Sequence, residues 1–344
     1  MTGYRGLATG IGSIPLTNVE DAVDLILRYV PDLPFWPQLP KIDSREGMIA
    51  QFSENLPGLK IDARGLHFVS EDIEKDLELF YEKVISHDLS YFKIGPDFSR
   101  GLHAFYQRLN NINLSDIEFI KCQVTGPFTF CAGINNLDGN AILHDKVLMQ
   151  AMVKGLSMKA LWQLDLFKKF GKKMIMFFDE PYLSAVGSAY TPVNHNDVIE
   201  VLSELTDSLK SQGCLIGIHC CGNTDWSMLT DAQGIDIINF DAFSFQERFV
   251  LYADNLNNFL KRGGIICWGI VPTQDFNLGQ TPEVLAQKIK LGLDVLVKKG
   301  IDRNLLLERL LISPACGLGT LDKQKAEGIL NLLNQTSAFI RKNL

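Results

Sequence analysis

Eight short apolar runs, separated by stretches with helical periodicity, constrain this chain more than any other feature. They are GLATGIGS (6–13), LPFWPQL (33–39), FIKCQVTG (119–126), MIMFFDE (174–180), LIGIHCC (215–221), IDIINFDA (235–242), IICWGIV (265–271) and LLISPACG (310–317). Runs of this length between turn signals read as strands. Amphipathic segments lie between most of them. HNDVIEVLSELTDSLKSQG and TPEVLAQKIKLGLDVLVKKG are the clearest, the second opening on a cap-like Thr and stopping at Gly. Strand alternating with helix implies parallel strands joined by crossovers, and eight repeats in 344 residues predict a (β/α)8 TIM barrel, one domain over 1–344. An open doubly wound sheet is the alternative, weakened because no GxGxxG follows the first run. The interval between the second and third runs is too long for a simple crossover. It contains SEDIEKDLELFYEKV and predicts a helical excursion on the barrel.

Hydrophobic residues make up 46% and charged residues 21%, enough to bury a sizeable core. The net charge of −7 and the lack of a Lys/Arg-rich run argue against a nucleic-acid partner. MTGYRGLATGIGSIP has no apolar h-region, and no run is long enough to span a membrane, so a cytoplasmic protein without a membrane partner is expected. The seven cysteines are scattered and odd in number, which suits metal binding or catalysis better than disulfides. Cys122, Cys131, Cys214 and Cys267 sit in apolar runs and read as small buried hydrophobes.

In a β/α barrel, chemistry collects at the C-terminal ends of the strands. There the sequence places Gly10–Ser13, then Asp179-Glu180-Pro181, His219-Cys220-Cys221, Asp241 and Cys316. Successive strand residues face opposite ways, so His219 and Cys221 share a face and Cys220 points away. Asp241 and Cys316 on nearby strand ends complete a candidate four-coordinate N/O/S shell of the kind zinc takes. Plainer readings stand beside this one. Asp241 suits a helix cap, the Asp-Glu-Pro run suits a turn into a helix, and Asn223 and Thr224 suit capping of the next helix.

Taken in order, GIGSIP (10–15), VTGPFT (124–129), FDEP (178–181), IHCCGN (218–223), IDIINFD (235–241) and SPACGLGT (313–320) make the chain resemble the catalytic C-terminal barrel of cobalamin-independent methionine synthase. That barrel belongs to the superfamily shared with uroporphyrinogen decarboxylase and methylcobalamin:coenzyme M methyltransferases. The resemblance implies a zinc site of His219, Cys221, Asp241 and Cys316, with Asp241 standing where the family usually has Glu. It implies that Ser13 and Asp179, with Glu180 beside it, contact the amino-acid part of homocysteine. A second acidic clamp of the family falls in a segment that cannot be matched.

Two departures bear on the methyl donor. The family's full-length members carry an additional N-terminal barrel that this sequence does not contain. The family's His after the seventh strand, which helps protonate departing folate, is absent from GIVPTQDF (269–276), where Gln274 falls. Both point to methylcobalamin or a methylated corrinoid protein as donor, with homocysteine as acceptor. The expected activity is therefore zinc-dependent thiol S-methyl transfer giving methionine. Transfer to coenzyme M, a uroporphyrinogen decarboxylase-like activity and a non-catalytic zinc- or corrinoid-binding barrel are the alternatives. Oligomeric state is not legible.

Overall fold

Seven of the eight apolar runs become strands of one parallel sheet. The computed structural model describes residues 3–62, 65–69, 72–188, 191, 193–277 and 279–344. Its strands are β1 (Leu7–Ala8), β2 (Leu59–Asp62), β3 (Gly65–Phe68), β4 (Phe119–Thr125), β5 (Lys173–Asp179), β6 (Leu215–Cys220), β7 (Ile237–Phe240), β8 (Ile265–Val271) and β9 (Leu310–Pro314). The sheet runs β1-β9-β8-β7-β6-β5-β4, every pair parallel. Helices connect successive strands, as the alternation required.

The second run, 33–39, forms no regular strand, yet it fills the eighth place. Phe35 bridges Lys121 of β4, and Gln38 bridges Ser13 on the other side, both parallel. The Lys121 amide donates to Pro34 O (2.9 Å), the Gln38 amide to Gly12 O (3.0 Å) and the Ile14 amide to Gln38 O (2.9 Å). Pro34 and Pro37 have no amide hydrogen, so a continuous ladder cannot form here. The first run is also short as a strand, its ladder confined to Leu7–Ala8 before Ser13 makes its isolated bridge.

The excursion is less helical than its sequence predicts. Its helix Ile73–Ile85 is present, capped by Asp72, with Ser70 and Glu71 outside the described residues. Ahead of it stand an antiparallel hairpin, β2–β3, and two short 3-10 turns, Ser44–Glu46 and Ala50–Phe52. A further helix, Arg100–Leu109, packs on Val19–Tyr29 and restores the barrel's outer layer.

The barrel interior changes character along its axis. Leu7, Leu33, Phe119, Ile175, Ile237, Ile265 and Leu311 fill its lower part, an apolar plug contributed by nearly every wall element. With a side-chain period of two, the same faces continue upward into Lys121 and Gln123 on β4, Asp179 on β5, His219 on β6, Asn239 on β7 and Ser313 on β9. All are buried. The outward positions, Cys220 among them, pack against the helices in the larger core. Among the described residues, no helix is long and apolar enough to cross a membrane.

Candidate metal centre and its cavity

His219, Cys221 and Cys316 converge at the C-terminal mouth of the barrel. One ligand atom from each lies within 4.8 Å of the other two, the one such group of His, Cys, Asp or Glu among the described residues. His219 ends the interior face of β6, and Cys221 follows two positions later on the same face. Cys220 between them is buried on the opposite side, its thiol turned to Gly222 O at 3.6 Å. Cys316 arrives from the loop after β9. That loop is tied to the first strand's extension: Leu318 N donates to Ser13 O (3.0 Å) and Gly319 N to Ser13 Oγ (3.1 Å). A Cβ at Gly317 would lie 2.3 Å from Ser13 Oγ, so the close fit needs glycine there.

The electrostatics agree with the geometry. The Cys316 thiol is held far below its ordinary value, first by a hydrogen bond from Cys221 and then by the His219 imidazole. Cys221 is correspondingly pushed up by the same pairing and by burial. Two thiols and one imidazole this close share charge most easily with a cation between them. A tetrahedral zinc with bonds of about 2.1–2.3 Å holds its donors about 3.5–3.8 Å apart, so donors within 4.8 Å of one another need only small adjustments. The donor set therefore fits zinc.

Asp241 stands outside this group. Its Oδ1 accepts from Ser244 N (2.8 Å) and caps helix Ala242–Phe249. Of the alternatives open for Asp241 in the sequence, the structure realises the cap. Three protein donors leave one position of a tetrahedral shell for a ligand.

The cluster forms one wall of a cavity of about 430 Å³, which Ser13, Gln38, Lys41, Glu46, Asp179 and Gln274 also line. Asp179 is 5% exposed, and its Oδ1 has no hydrogen-bond partner among the described residues. Burial raises its carboxyl, opposed by the Lys121 and His219 charges. Glu46 is the acidic residue that sequence reasoning missed. It sits in the 3-10 turn Ser44–Glu46, 1% exposed, with Oε1 accepting from Arg100 Nη1 (2.9 Å) and Oε2 buried and unpartnered among the described residues. Desolvation raises it, and the Arg100 guanidinium pulls back. Nothing in DSREG marks Glu46 beforehand, because its place depends on how the long excursion folds back onto the mouth.

Glu180 does not reach the cavity. Its carboxylate accepts from Phe128 N (2.9 Å), Thr129 N (2.8 Å) and Thr129 Oγ1 (2.6 Å), holding the start of helix Pro127–Ala132. Burial pushes it up to about 7 against those donors. The expected contact of Glu180 with substrate gives way to this structural one, since the backbone turns after Asp179 and adjacent residues face apart. Thr224 likewise does not cap a helix; its hydroxyl donates to Leu183 O at 2.7 Å.

Lys121 lies beneath the cavity, fully buried. Its Nζ donates to Ile11 O (2.6 Å) and stands 4.8 Å over the Phe177 ring. Desolvation lowers it to about 8, opposed by Asp179. It anchors the carbonyl two residues before Ser13 and so helps hold the Ser13 hydroxyl at the cavity wall.

Fold and site together define a parallel β/α barrel with a His-Cys-Cys cluster at the strand ends. No family model matches this chain, and no curated protein matches it. Among solved structures it is similar to a D-psicose 3-epimerase crystallised with D-fructose (12% identity, 76% of this chain and 93% of that one, TM-score 0.41). It is also similar to an IolI protein with a bound zinc atom (15%, 77% and 93%, TM-score 0.39) and to a GH20 module of the pneumococcal exo-β-D-N-acetylglucosaminidase StrH (10%, 97% and 85%, TM-score 0.44). All are barrel-like, and likenesses at this level carry no chemistry to this chain.

Proposed function

We propose that this protein is a zinc-dependent thiol S-methyltransferase of the methionine synthase type, with homocysteine as acceptor and methylcobalamin or a methylated corrinoid protein as donor. One observation carries the reading. The cavity that holds the two-sulfur, one-imidazole cluster also holds two buried acidic oxygens without partners, on Asp179 and Glu46. A thiol-seeking end and an ammonium-seeking end in one space of about 430 Å³ suit a small amino-acid thiol.

Zinc, when bound, supplies the acceptor as a thiolate near neutral pH, where a free thiol is only a few per cent ionised. His219, Cys221 and Cys316 would hold the ion. Asp179 and Glu46 take the ammonium. Ser13 Oγ accepts from Gly319 N and keeps its own hydrogen to donate to the acceptor's carboxylate. Held at both ends, the sulfur attacks the methyl carbon in line; the S–C bond forms as the carbon–donor bond breaks, and the donor leaves with the electron pair. A departing cob(I)alamin needs no proton, whereas folate does. Gln274 at the cavity wall, where the family's acid would stand, supports the corrinoid.

The acidic oxygens also separate this reading from transfer to coenzyme M. A sulfonate beside two carboxylates would be repelled, not held. The test is methyl transfer by zinc-loaded protein to homocysteine, from methylcobalamin and separately from methyltetrahydrofolate. Methionine from methylcobalamin alone is expected. Turnover with methylfolate alone overturns the donor, and no methionine from either overturns the acceptor.

A further inference from the structure

We infer that Asn239 is a positioning residue that fixes which imidazole nitrogen of His219 is offered to the metal. The inference rests on the proposed zinc site, but its argument comes from a buried chain of hydrogen bonds that no metal is needed to see.

Asn239 lies on the interior face of β7, paired in register with His219 of β6 and Cys267 of β8. It is 1% exposed. Its Nδ2 stands 2.9 Å from Cys267 O and 2.9 Å from Ser313 Oγ. The Cys267 carbonyl can only accept, and the Ser313 hydroxyl donates onward to Pro314 O (2.9 Å). Both partners therefore require donors, which only the NH2 side of the amide provides. The amide is thereby oriented, and its Oδ1 must be the atom facing His219, at 2.6 Å from Nδ1.

An amide oxygen can only accept. His219 Nδ1 therefore carries a hydrogen and is turned to Asn239, which leaves Nε2 as the nitrogen available to the cluster with Cys221 and Cys316. Metal-bound histidines commonly donate their second ring N–H in this way, and the donation fixes both tautomer and ring direction. Here the orienting acceptor is itself oriented by Cys267 and Ser313, so the arrangement is set by β7, β8 and β9 before any ion arrives.

Three full-length proteins test this: wild type, Asn239→Leu and Asn239→Asp. Each is titrated with Zn2+ against a competing chelator, with thermal midpoint measured alongside. Asn239→Leu removes the acceptor at similar volume, and its zinc dissociation constant is expected to rise about 10- to 100-fold. Asn239→Asp keeps an acceptor toward His219 but sets a carboxylate oxygen against the Cys267 carbonyl. It is expected to melt lower than wild type while holding zinc within a few-fold of it. Zinc affinity that follows the thermal midpoint across the variants, instead of the acceptor, overturns the inference.

A second readout needs no variant to fold. In metal-free wild type labelled with 15N-histidine, long-range 1H–15N correlations of the His219 ring are expected to show a hydrogen on Nδ1. Protonated Nε2 with bare Nδ1 overturns the inference even if zinc binds tightly. A wild type that takes up no zinc overturns the zinc site and the inference with it. Zinc binding that is tight and indifferent to Asn239 overturns the inference alone.

Discussion

Asp179 and Glu46 reach one cavity from unrelated parts of the chain, the first at the end of β5 and the second in a 3-10 turn of the long excursion, and each presents a buried oxygen without a partner among the described residues. Arg100 donates to the other oxygen of Glu46. Under the proposed function this pair takes the ammonium of the acceptor. Asp179→Asn and Glu46→Gln are each expected to lower kcat/KM for homocysteine by about 10- to 100-fold, the worth of a charged hydrogen bond. With 4-mercaptobutanoate, the same acceptor without its amino group, neither change should matter beyond a few-fold. Equal losses with both acceptors would place the two carboxylates in general support of the fold.

Metal content separates ligands from neighbours. His219→Ala, Cys221→Ala and Cys316→Ala are each expected to purify with little zinc. Asp241→Ala should retain zinc and lose about 1 kcal/mol of stability, the usual cost of removing an N-cap acceptor. Metal analysis and thermal melts on the four proteins check this. Zinc lost from Asp241→Ala as fully as from Cys316→Ala would make Asp241 a ligand.

Glu180 should couple stability to pH. Its native carboxyl titrates at about 7, against 4.5 as its ordinary value, because burial disfavours the charge. Below 4.5 both folded and unfolded chains hold the proton, and the stability contributed by the neutral buried form is fully present. As pH rises the unfolded chain ionises first, and the contribution is lost progressively until the folded group ionises near 7. The total is about 3 kcal/mol. Glu180→Gln does not titrate, so the stability gap between wild type and this variant should narrow by that amount from pH 4.5 to 7. Urea melts across this range measure the gap; a constant gap would mean that the three donors keep Glu180 ionised throughout.

Gly217 sits one turn of the pleat beneath His219, with the Phe177 ring against it. A Cβ there would lie 2.7–2.8 Å from three ring carbons. Gly217→Ala must therefore move Phe177, over which Lys121 is placed at 4.8 Å. A destabilisation of about 1–3 kcal/mol is expected. A crystal structure of the variant should show the ring displaced and Ile11, whose carbonyl Lys121 holds, shifted with it. An unshifted ring and unchanged stability would show that the barrel interior has slack at this level.

Much of this protein was written in local pattern. Apolar runs alternating with amphipathic segments are enough to demand parallel strands and crossovers, and β4 to β9 fall where those runs lie. Strand parity alone placed His219 and Cys221 on one face and sent Cys220 into the outer core. Loop-borne geometry was not legible in the same way. The proline-bearing segment 33–39 closes the barrel through isolated bridges, because missing amides forbid a ladder while leaving the carbonyls free to accept. Asp241 and Glu180 share their residue type with plausible ligands and clamps, yet each turns to a helix N-terminus whose amides lie nearer. Glu46 entered the cavity only because the excursion folds back over the mouth. Asn239 carried a faint signal, a lone amide inside an apolar strand, but its meaning depends on three neighbouring strands. Sequence determines which groups a segment can offer and which face they share. Tertiary structure decides which partners compete for them, since hydrogen bonds and charges are settled by distances between residues far apart in the chain.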